Sequence, residues 1–316
     1  MQSYTHFTLT ERENLRVLLE KGKSLRTIAK ELGRSPSTIS REIKRNKTKK
    51  GYHAWWATSL YLYRRKKCRR KNRYSYDKKL ISFTQDGLSK FWSPEIITIK
   101  YKQANPNTKL SHCTIYRALI KNLIVGYSPQ THLIRRNRLK YKKGNNCTIR
   151  PDYSIHQRPK EANLRQRIGD WEVDTVHGAK GKGALLTCVD RKSRYLVAGF
   201  SEKFTAESIN KTLSNTLKQN PVHTLTFDRG TEFSGFRKIQ QDFGVKVFFA
   251  DPHSPWQRGS NENINGLLRF FFPKGCDFLN ISTEYINHVI ELINTRPRKC
   301  LGWLSPHEVF FSKCCT

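Results

Sequence analysis

Apolar positions recur at helical spacing in three short runs near the start of the chain. Leu15, Leu18 and Leu19 form the first, Leu25, Ile28, Ala29 and Leu32 the second, Ile39 and Ile43 the third. Thr10 followed by Glu13 predicts a capping box for the first helix, and Gly22 ends it. Ser24 opens the second helix and Gly33 supplies the turn after it. Ser35 with Pro36 at the first helical position opens the third, over 35–45. Ser37, Thr38, Ser40, Arg41, Lys44 and Arg45 are left outside the apolar stripe. Residues 1–50 therefore read as a helix-turn-helix domain, with its last helix shaped for a major groove.

Residues 51–90 read as a basic connector. Tyr52, Trp55, Trp56, Tyr61 and Tyr63 precede the run RRKKCRRKNR at 64–73. The aromatic part suits a helix docked on the first module. A second, weaker helix-turn-helix is expected over 91–143, with Ile96, Ile97 and Tyr101 on one helix. Ile115, Tyr116, Leu119 and Ile120 repeat on the next, with Thr114 and Arg117 outward. Residues 144–165 read as a linker containing Pro151 and Pro159.

The period then changes. In IGDWEVDTV, 168–176, Trp171, Val173 and Thr175 alternate with Glu172 and Asp174, the signature of a strand. Strands are expected at 184–189 and 194–200, then a helix over 206–217. Leu225 and Phe227 mark a strand ending in Asp228 and a glycine turn. Another short strand, 245–249, a proline-rich loop, 251–258, and a helix carrying Glu262 follow. The expectation is thus all-α helix-turn-helix modules followed by an α/β domain with a mixed sheet over 166–316.

Charge sharpens this division. The net charge of +34 is uneven: 40 of the 59 Lys and Arg, but only 10 of the 25 Asp and Glu, fall in residues 1–168. Such a surface repels itself unless a polyanion neutralises it, and the partner expected is double-stranded DNA. Arg64, Arg65, Lys66, Lys67, Arg69, Arg70, Arg135 and Arg136 are expected on its phosphate backbone. The eight cysteines include no CxxC pair and no zinc-finger spacing, so neither a structural zinc nor a disulfide framework is expected. They fit a reducing cytoplasm. No run of 18 apolar residues exists, and no membrane span is expected.

Three strands in a meander, a helix, a strand and another helix match a ribonuclease-H-like layout. In it Asp174 on the first strand and Asp228 at the end of the fourth lie side by side, and Glu262 arrives from a helix packed on the sheet. Carboxylates this close repel, and three hard oxygen donors suit Mg²⁺ or Mn²⁺. Two such ions about 3.5–4 Å apart serve phosphoryl transfer. Glu172 shares the Asp174 face, but is expected at the sheet rim, and like Asp190 is a poorer ligand.

At this point the chain resembles a transposase of the insertion-sequence-thirty family, within the DDE transposases and retroviral-type integrases. The segments that carry the likeness are WEVDTV (171–176), LLTCVDRKSRY (185–195), TFDRGTEF (226–233), DPHSPWQRGSNENINGLLRFFFPKG (251–275) and NTRPRKCLGWLSPHEVF (294–310), with the N-terminal LRTIAKELGRSPSTISREIKRN. The likeness runs from about residue 8 to 310, and the 251–275 string is its most specific part. It departs from the family at Val173, Ser260 and Ile264, none of them a metal ligand. The resemblance puts the acidic triad on Asp174, Asp228 and Glu262, the last two separated by thirty-three residues. It implies binding to terminal inverted repeats, cleavage at element ends and strand joining by a 3′-hydroxyl. Two Mg²⁺ or Mn²⁺ ions, target DNA, a homodimer or higher oligomer at synapsis, and a place at the bacterial nucleoid go with it. On this reading His253 and Gln257 position the scissile phosphate or flanking DNA, and Trp256 and Arg258 touch DNA near the cleaved end. Asn265 orients Glu262, Arg269 grips a phosphate, and Arg296 and Arg298 serve structure or backbone contact.

Overall fold

The computed structural model describes residues 5–49, 51–68, 72–134, 151–252 and 254–312. Arg69, Arg70, Arg135, Arg136 and His253 lie outside the described residues. The chain divides into two compact units, Met1–Asn72 and Arg73–Thr316.

The first unit holds α1 (Leu9–Glu20), α2 (Leu25–Glu31), α3 (Pro36–Asn46) and α4 (Ala54–Cys68). Its core is Phe7, Leu15, Ile28, Ala29, Ile39, Tyr52 and Ala57. The capping box of α1 is Thr8 with Glu11, two residues earlier than the Thr10–Glu13 pair expected from sequence. Both pairs have the right spacing. Thr8 has the extended backbone a cap needs, whereas Glu13 is spent on an exposed pair with Arg16. Gly33 takes φ +61° in the turn between α2 and α3, a conformation open to glycine without cost.

Residues 51–90, read as a connector, carry helix α4 and a further helix in the second unit. Only Ala54 and Ala57 of α4 are buried, and Trp55, Trp56, Leu62 and Tyr63 stay exposed. A polar network joins three helices. Arg12 of α1 donates to Glu42 of α3 at 2.7 Å and to Thr58 of α4 at 3.3 Å, and the Tyr52 hydroxyl donates to Glu42 at 3.1 Å. The Arg12 side chain is 3% exposed and that of Glu42 11%.

The second unit begins with α5 (Lys78–Ser89), α6 (Pro94–Ala104), α7 (His112–Ile120) and α8 (Pro129–His132). They close around Leu80, Leu88, Ile97, Tyr101, Leu110, Ile115 and Leu119. Ile120, expected in that stripe, is 70% exposed. At Gly87 a side chain would meet Ile97 at 2.7 Å, so its absence lets α5 and α6 touch. After α9 (Lys160–Asn163) come β1 (Asp170–His177), β2 (Ala184–Asp190), β3 (Leu196–Ser201), α10 (Ala206–Leu217), β4 (Thr224–Phe227), α11 (Phe236–Phe243) and β5 (Lys246–Phe249). α12 (Gly259–Phe271), α13 (Thr283–Asn294) and α14 (Pro306–Phe311) complete it.

The sheet order is β3-β2-β1-β4-β5; β1–β2 and β2–β3 are antiparallel, β1–β4 and β4–β5 parallel. The mixed sheet after helical modules agrees with the expected fold class. Side chains alternate across β1. Trp171 and Val173 join the α10–α11 core with Leu213, Phe227 and Phe233. Val176 joins the opposite core with Leu268, Phe272 and Val289, from α12 and α13. Asn294 closes the edge strand by bonding both backbone groups of Leu196, each at 2.8 Å.

Breaking the Arg12–Glu42 pair leaves one buried charge without its partner. Glu42→Gln is expected to destabilise the first unit by about 3 kcal/mol, read as a lower urea midpoint of the full chain. The double variant Arg12→Met/Glu42→Leu should recover most of that loss; no recovery would show that the pair is not the source.

Candidate active site and nucleic-acid interface

The parallel pairing of β1 with β4 decides where the acidic residues fall. Glu172 pairs with Thr226, and two more places along that register set Asp174 level with Asp228. β1 is also where the sheet changes direction of growth, β2 and β3 to one side, β4 and β5 to the other. The crevice beyond such strand ends is where open α/β sheets take ligands.

Each aspartate accepts a backbone amide on Oδ1 and a side-chain donor on Oδ2. Asp174 Oδ1 accepts from the Thr175 amide at 2.9 Å, and Asp228 Oδ1 from the Gly230 amide at 2.9 Å. Asp174 Oδ2 accepts from Asn265 Nδ2 of α12 at 2.8 Å. Between the two lies Arg258. Its Nη2 donates to Asp228 Oδ2 at 2.8 Å, and its Nη1 donates to the Val173 carbonyl at 3.0 Å and stands 3.8 Å from Asp174 Oδ1. Burial pushes the Asp174 carboxyl up; Arg258 opposes this and Asp228 adds to it. Burial also works against the Arg258 charge, but Asp174 and Asp228 outweigh it and hold the guanidinium above its usual value.

The sequence missed a further acid in this cluster. Glu232 accepts from Thr175 Oγ1 at 3.0 Å, and burial, then Asp228, and also Asp174 push its carboxyl up. Its carboxylate folds back over Gly230. The signal was its place four residues after Asp228.

Other expected residues fall differently. Glu262 sits in the first turn of α12, exposed. Asn265 bonds Asp174 rather than Glu262. Glu172 is not at the rim: it is fully buried and ion-paired with Arg191. Asp190 is equally buried, accepting from the Gly169 and Ser193 amides at 2.9 and 2.7 Å as the anchor of a turn. Gln257 is turned onto its own loop, bonding the Asp251 side chain and amide, each at 2.8 Å. Arg269 donates to the His177 carbonyl at 2.8 Å. Trp256 is 73% exposed beside Arg258. Arg296 donates to the Phe91 carbonyl, tying the α5–α8 bundle to the segment after α13.

Asp174 and Asp228 are hard oxygen donors converging on one cation, and the cation already there is a guanidinium. The pair therefore fits a divalent ion. Glu262 is not gathered in, and among the described residues no three His, Cys, Asp or Glu are grouped so that they could hold a metal ion.

In the first unit Ser37, Ser40, Arg41, Lys44 and Arg45 of α3 are exposed. Thr38 is half-buried, its hydroxyl 2.8 Å from the cap residue Ser35. Arg64 is turned inward, bonding the Arg45 carbonyl at 3.2 Å and the Asn46 side chain, so it braces α4 on α3. Arg65 bonds the Tyr61 hydroxyl, and Lys66 and Lys67 are exposed.

Residues 3–46 match a family model described as a helix-turn-helix domain, and residues 165–255 one described as an integrase core domain. The chain is 35% identical over 332 residues to the transposase InsI of insertion sequence element IS30A from Escherichia coli, covering 98% of this chain and 84% of that one. It is 35% identical over 322 residues to the transposase of insertion sequence element IS1086 from Cupriavidus metallidurans, covering 97% and 94%. The catalytic core domain of BIV integrase, a solved structure, is 18% identical with a TM-score of 0.36, covering 46% of this chain and 95% of that one. With two thirds of each curated relative's length well exceeded, the chain belongs to the IS30 family of insertion-sequence transposases.

Proposed function

We propose that the protein binds the terminal inverted repeats of its element and catalyses divalent-metal-dependent cleavage there, followed by 3′-hydroxyl strand transfer. The observation that carries this is the convergence of Asp174 and Asp228 on one cation at the switch point of the sheet. Asp174, Asp228 and Glu262 would hold Mg²⁺ or Mn²⁺, two ions in all. When bound, the ions activate the attacking oxygen and stabilise the leaving one. The chain's own residues set the geometry. Asn265 and the Thr175 amide fix the Asp174 carboxylate, and the Gly230 amide fixes Asp228. Arg258 balances the pair until a divalent cation takes its place. No side chain need form a covalent bond to DNA.

End recognition belongs to α3, through Ser37, Ser40, Arg41, Lys44 and Arg45, with the basic runs on the phosphate backbone. The α5–α8 bundle, with Arg117 exposed, supports a second DNA contact. Two ends must meet, so a dimer or larger assembly is proposed at synapsis. Among the described residues no helix is long and apolar enough to cross a membrane. A place at the nucleoid follows from DNA as substrate.

Asp228→Asn is expected to abolish nicking of an element-end duplex, a loss of at least about a thousand-fold, while end binding by gel shift stays within about two-fold. Persistent nicking with divalent metal present would show the triad assignment to be wrong. Asn265→Ala should lower the cleavage rate by roughly ten- to a hundred-fold, as for other partners that orient a metal ligand. Removing the resident guanidinium should ease cation entry. Arg258→Gln is expected to tighten Mn²⁺ binding by roughly ten-fold in calorimetric titration, the worth of one charge-assisted hydrogen bond. Equal or weaker binding would mean that Arg258 does not compete for the site.

A further inference from the structure

The C-terminal motif NTRPRKCLGW leaves one arginine without a role in the catalytic pair. Arg298 lines a cavity of about 310 Å³ beside the start of α12, together with Arg165 and Arg194. The three arginines come from separate segments: the end of the α9 region, the β2–β3 turn, and the stretch after α13. Arg165 and Arg194 both hold left-handed backbone, φ +57° and +63°. Ser260 and Asn263 of α12 form the facing wall.

Three guanidiniums around one cavity call for a counter-charge. None is supplied: among the described residues, no carboxylate lies within ion-pair distance of Arg165, Arg194 or Arg298. Their contacts inside the cavity are neutral. Arg194 bonds the Ser260 hydroxyl, and Arg298 Nη1 donates to Asn263 Oδ1 at 3.3 Å. Arg298 Nε is buried with no hydrogen-bond partner. Burial pulls the Arg298 guanidinium down to about 10, where an ordinary arginine is higher. Arg298 is half-buried, and its Nη2 also donates to the Ile293 carbonyl at 3.3 Å, so every partner it has is neutral; a partly desolvated cation of this kind is favoured by an anion that pairs with it.

The position selects among anions. Arg258 and Asn265 reach the aspartate pair from one flank of α12, while Ser260 and Asn263 line the arginine cavity on another. Exposed Glu262 lies between them in sequence. The beginning of α12 therefore adjoins both the aspartate pair and the arginine cavity. We propose that the Arg165–Arg194–Arg298 cavity is a second phosphate-binding site, which holds one backbone phosphate of the DNA near the cleaved position. This rests on the reading of Asp174 and Asp228 as the place where DNA is cut. Forked guanidiniums suit a phosphodiester, whose oxygens accept two parallel N–H bonds from each. The cavity thus fixes the register of the strand without reading its sequence.

The test uses the full chain and an element-end duplex in which single phosphates are replaced one at a time by uncharged methylphosphonate. Binding is measured over a salt series for the wild type, Arg298→Met and Arg165→Met. The wild type is expected to lose about ten-fold in affinity at one or two neutralised phosphates near the cleavage position, as for one charge-assisted contact. Each variant should bind the unmodified duplex about ten-fold more weakly and show no further loss at those phosphates. Its plot of log affinity against log salt should be shallower by about 1. Arg165 is exposed at the rim, so its variant keeps the test valid if Arg298→Met fails to fold. Full sensitivity at every phosphate with an unchanged slope would overturn the proposal. So would variants that bind all the duplexes normally but lose affinity for polyglutamate, which would mark an acidic protein partner. Because only binding is read, failure of cleavage leaves this result standing. Cleavage with no phosphate coupling would reject the cavity alone.

Discussion

Two carboxylates set side by side in a partly buried crevice repel, and the protein must supply a positive charge to keep them there. That constraint organises the open end of the mixed sheet. Pairing of β1 with β4 brings Asp174 and Asp228 together, and Arg258 offsets part of their charge. The pairing is itself secured at its start, where the Thr224 hydroxyl donates to Asp170 at 2.7 Å. Arg167 supports the same carboxylate. The tension is thus local to the open end of the strands, while the closed end is fully satisfied. Arg258 is held in place by its bonds to the Val173 carbonyl and to Asp228.

Helix α12 carries much of what the pair needs. It supplies Asn265, follows Arg258 directly, and bears Glu262 in its first turn. Its placement on the sheet is fixed by apolar contacts of Ile264 and Leu268 with Leu185 and Val189. A buried pair, Glu172 with Arg191, stands beneath its start, and Glu172 also accepts from the Asn261 amide at 3.4 Å. Asn261 itself is 1% exposed, yet neither polar atom of its side chain has a partner. The first turn of α12 is therefore less fully bonded than the rest of the helix. That unmet polarity lies next to Glu262, the one acid of the expected triad that stands apart from the other two.

Much of this was legible in the sequence because the governing signals are local. Periodicity marked α2, α3 and α10 and the strands of the meander, and strand alternation put Glu172 and Asp174 on one face. What stayed hidden depends on tertiary partners. Thr8 and Thr10 both offer a cap, and only packing of Phe7 into the core chooses Thr8. Glu172 looks like a rim acid until Arg191, nineteen residues on, is folded against it. Arg64 reads as a phosphate contact until α4 lies on α3 and turns it inward. Asn265 was assigned to the nearer acid along its own helix, yet it bonds one ninety-one residues away. Glu232 was visible in its motif but unremarkable without Thr175 beside it.

The C-terminal end of α12 is pinned, whereas its first turn is less fully bonded. Phe270 and Phe271 meet the ring of Phe91 edge-on, with centroids 5.5 and 5.0 Å apart, and Arg296 bonds the Phe91 carbonyl. Inserting or deleting one residue between Asn265 and Phe270 would turn the two ends of the helix by about 100° relative to each other. Either the Phe91 contact or the Asp174 contact would then be lost. The number of residues in this stretch is thus constrained more tightly than their identities, and lineages of this chain should vary there by substitution and almost never by length.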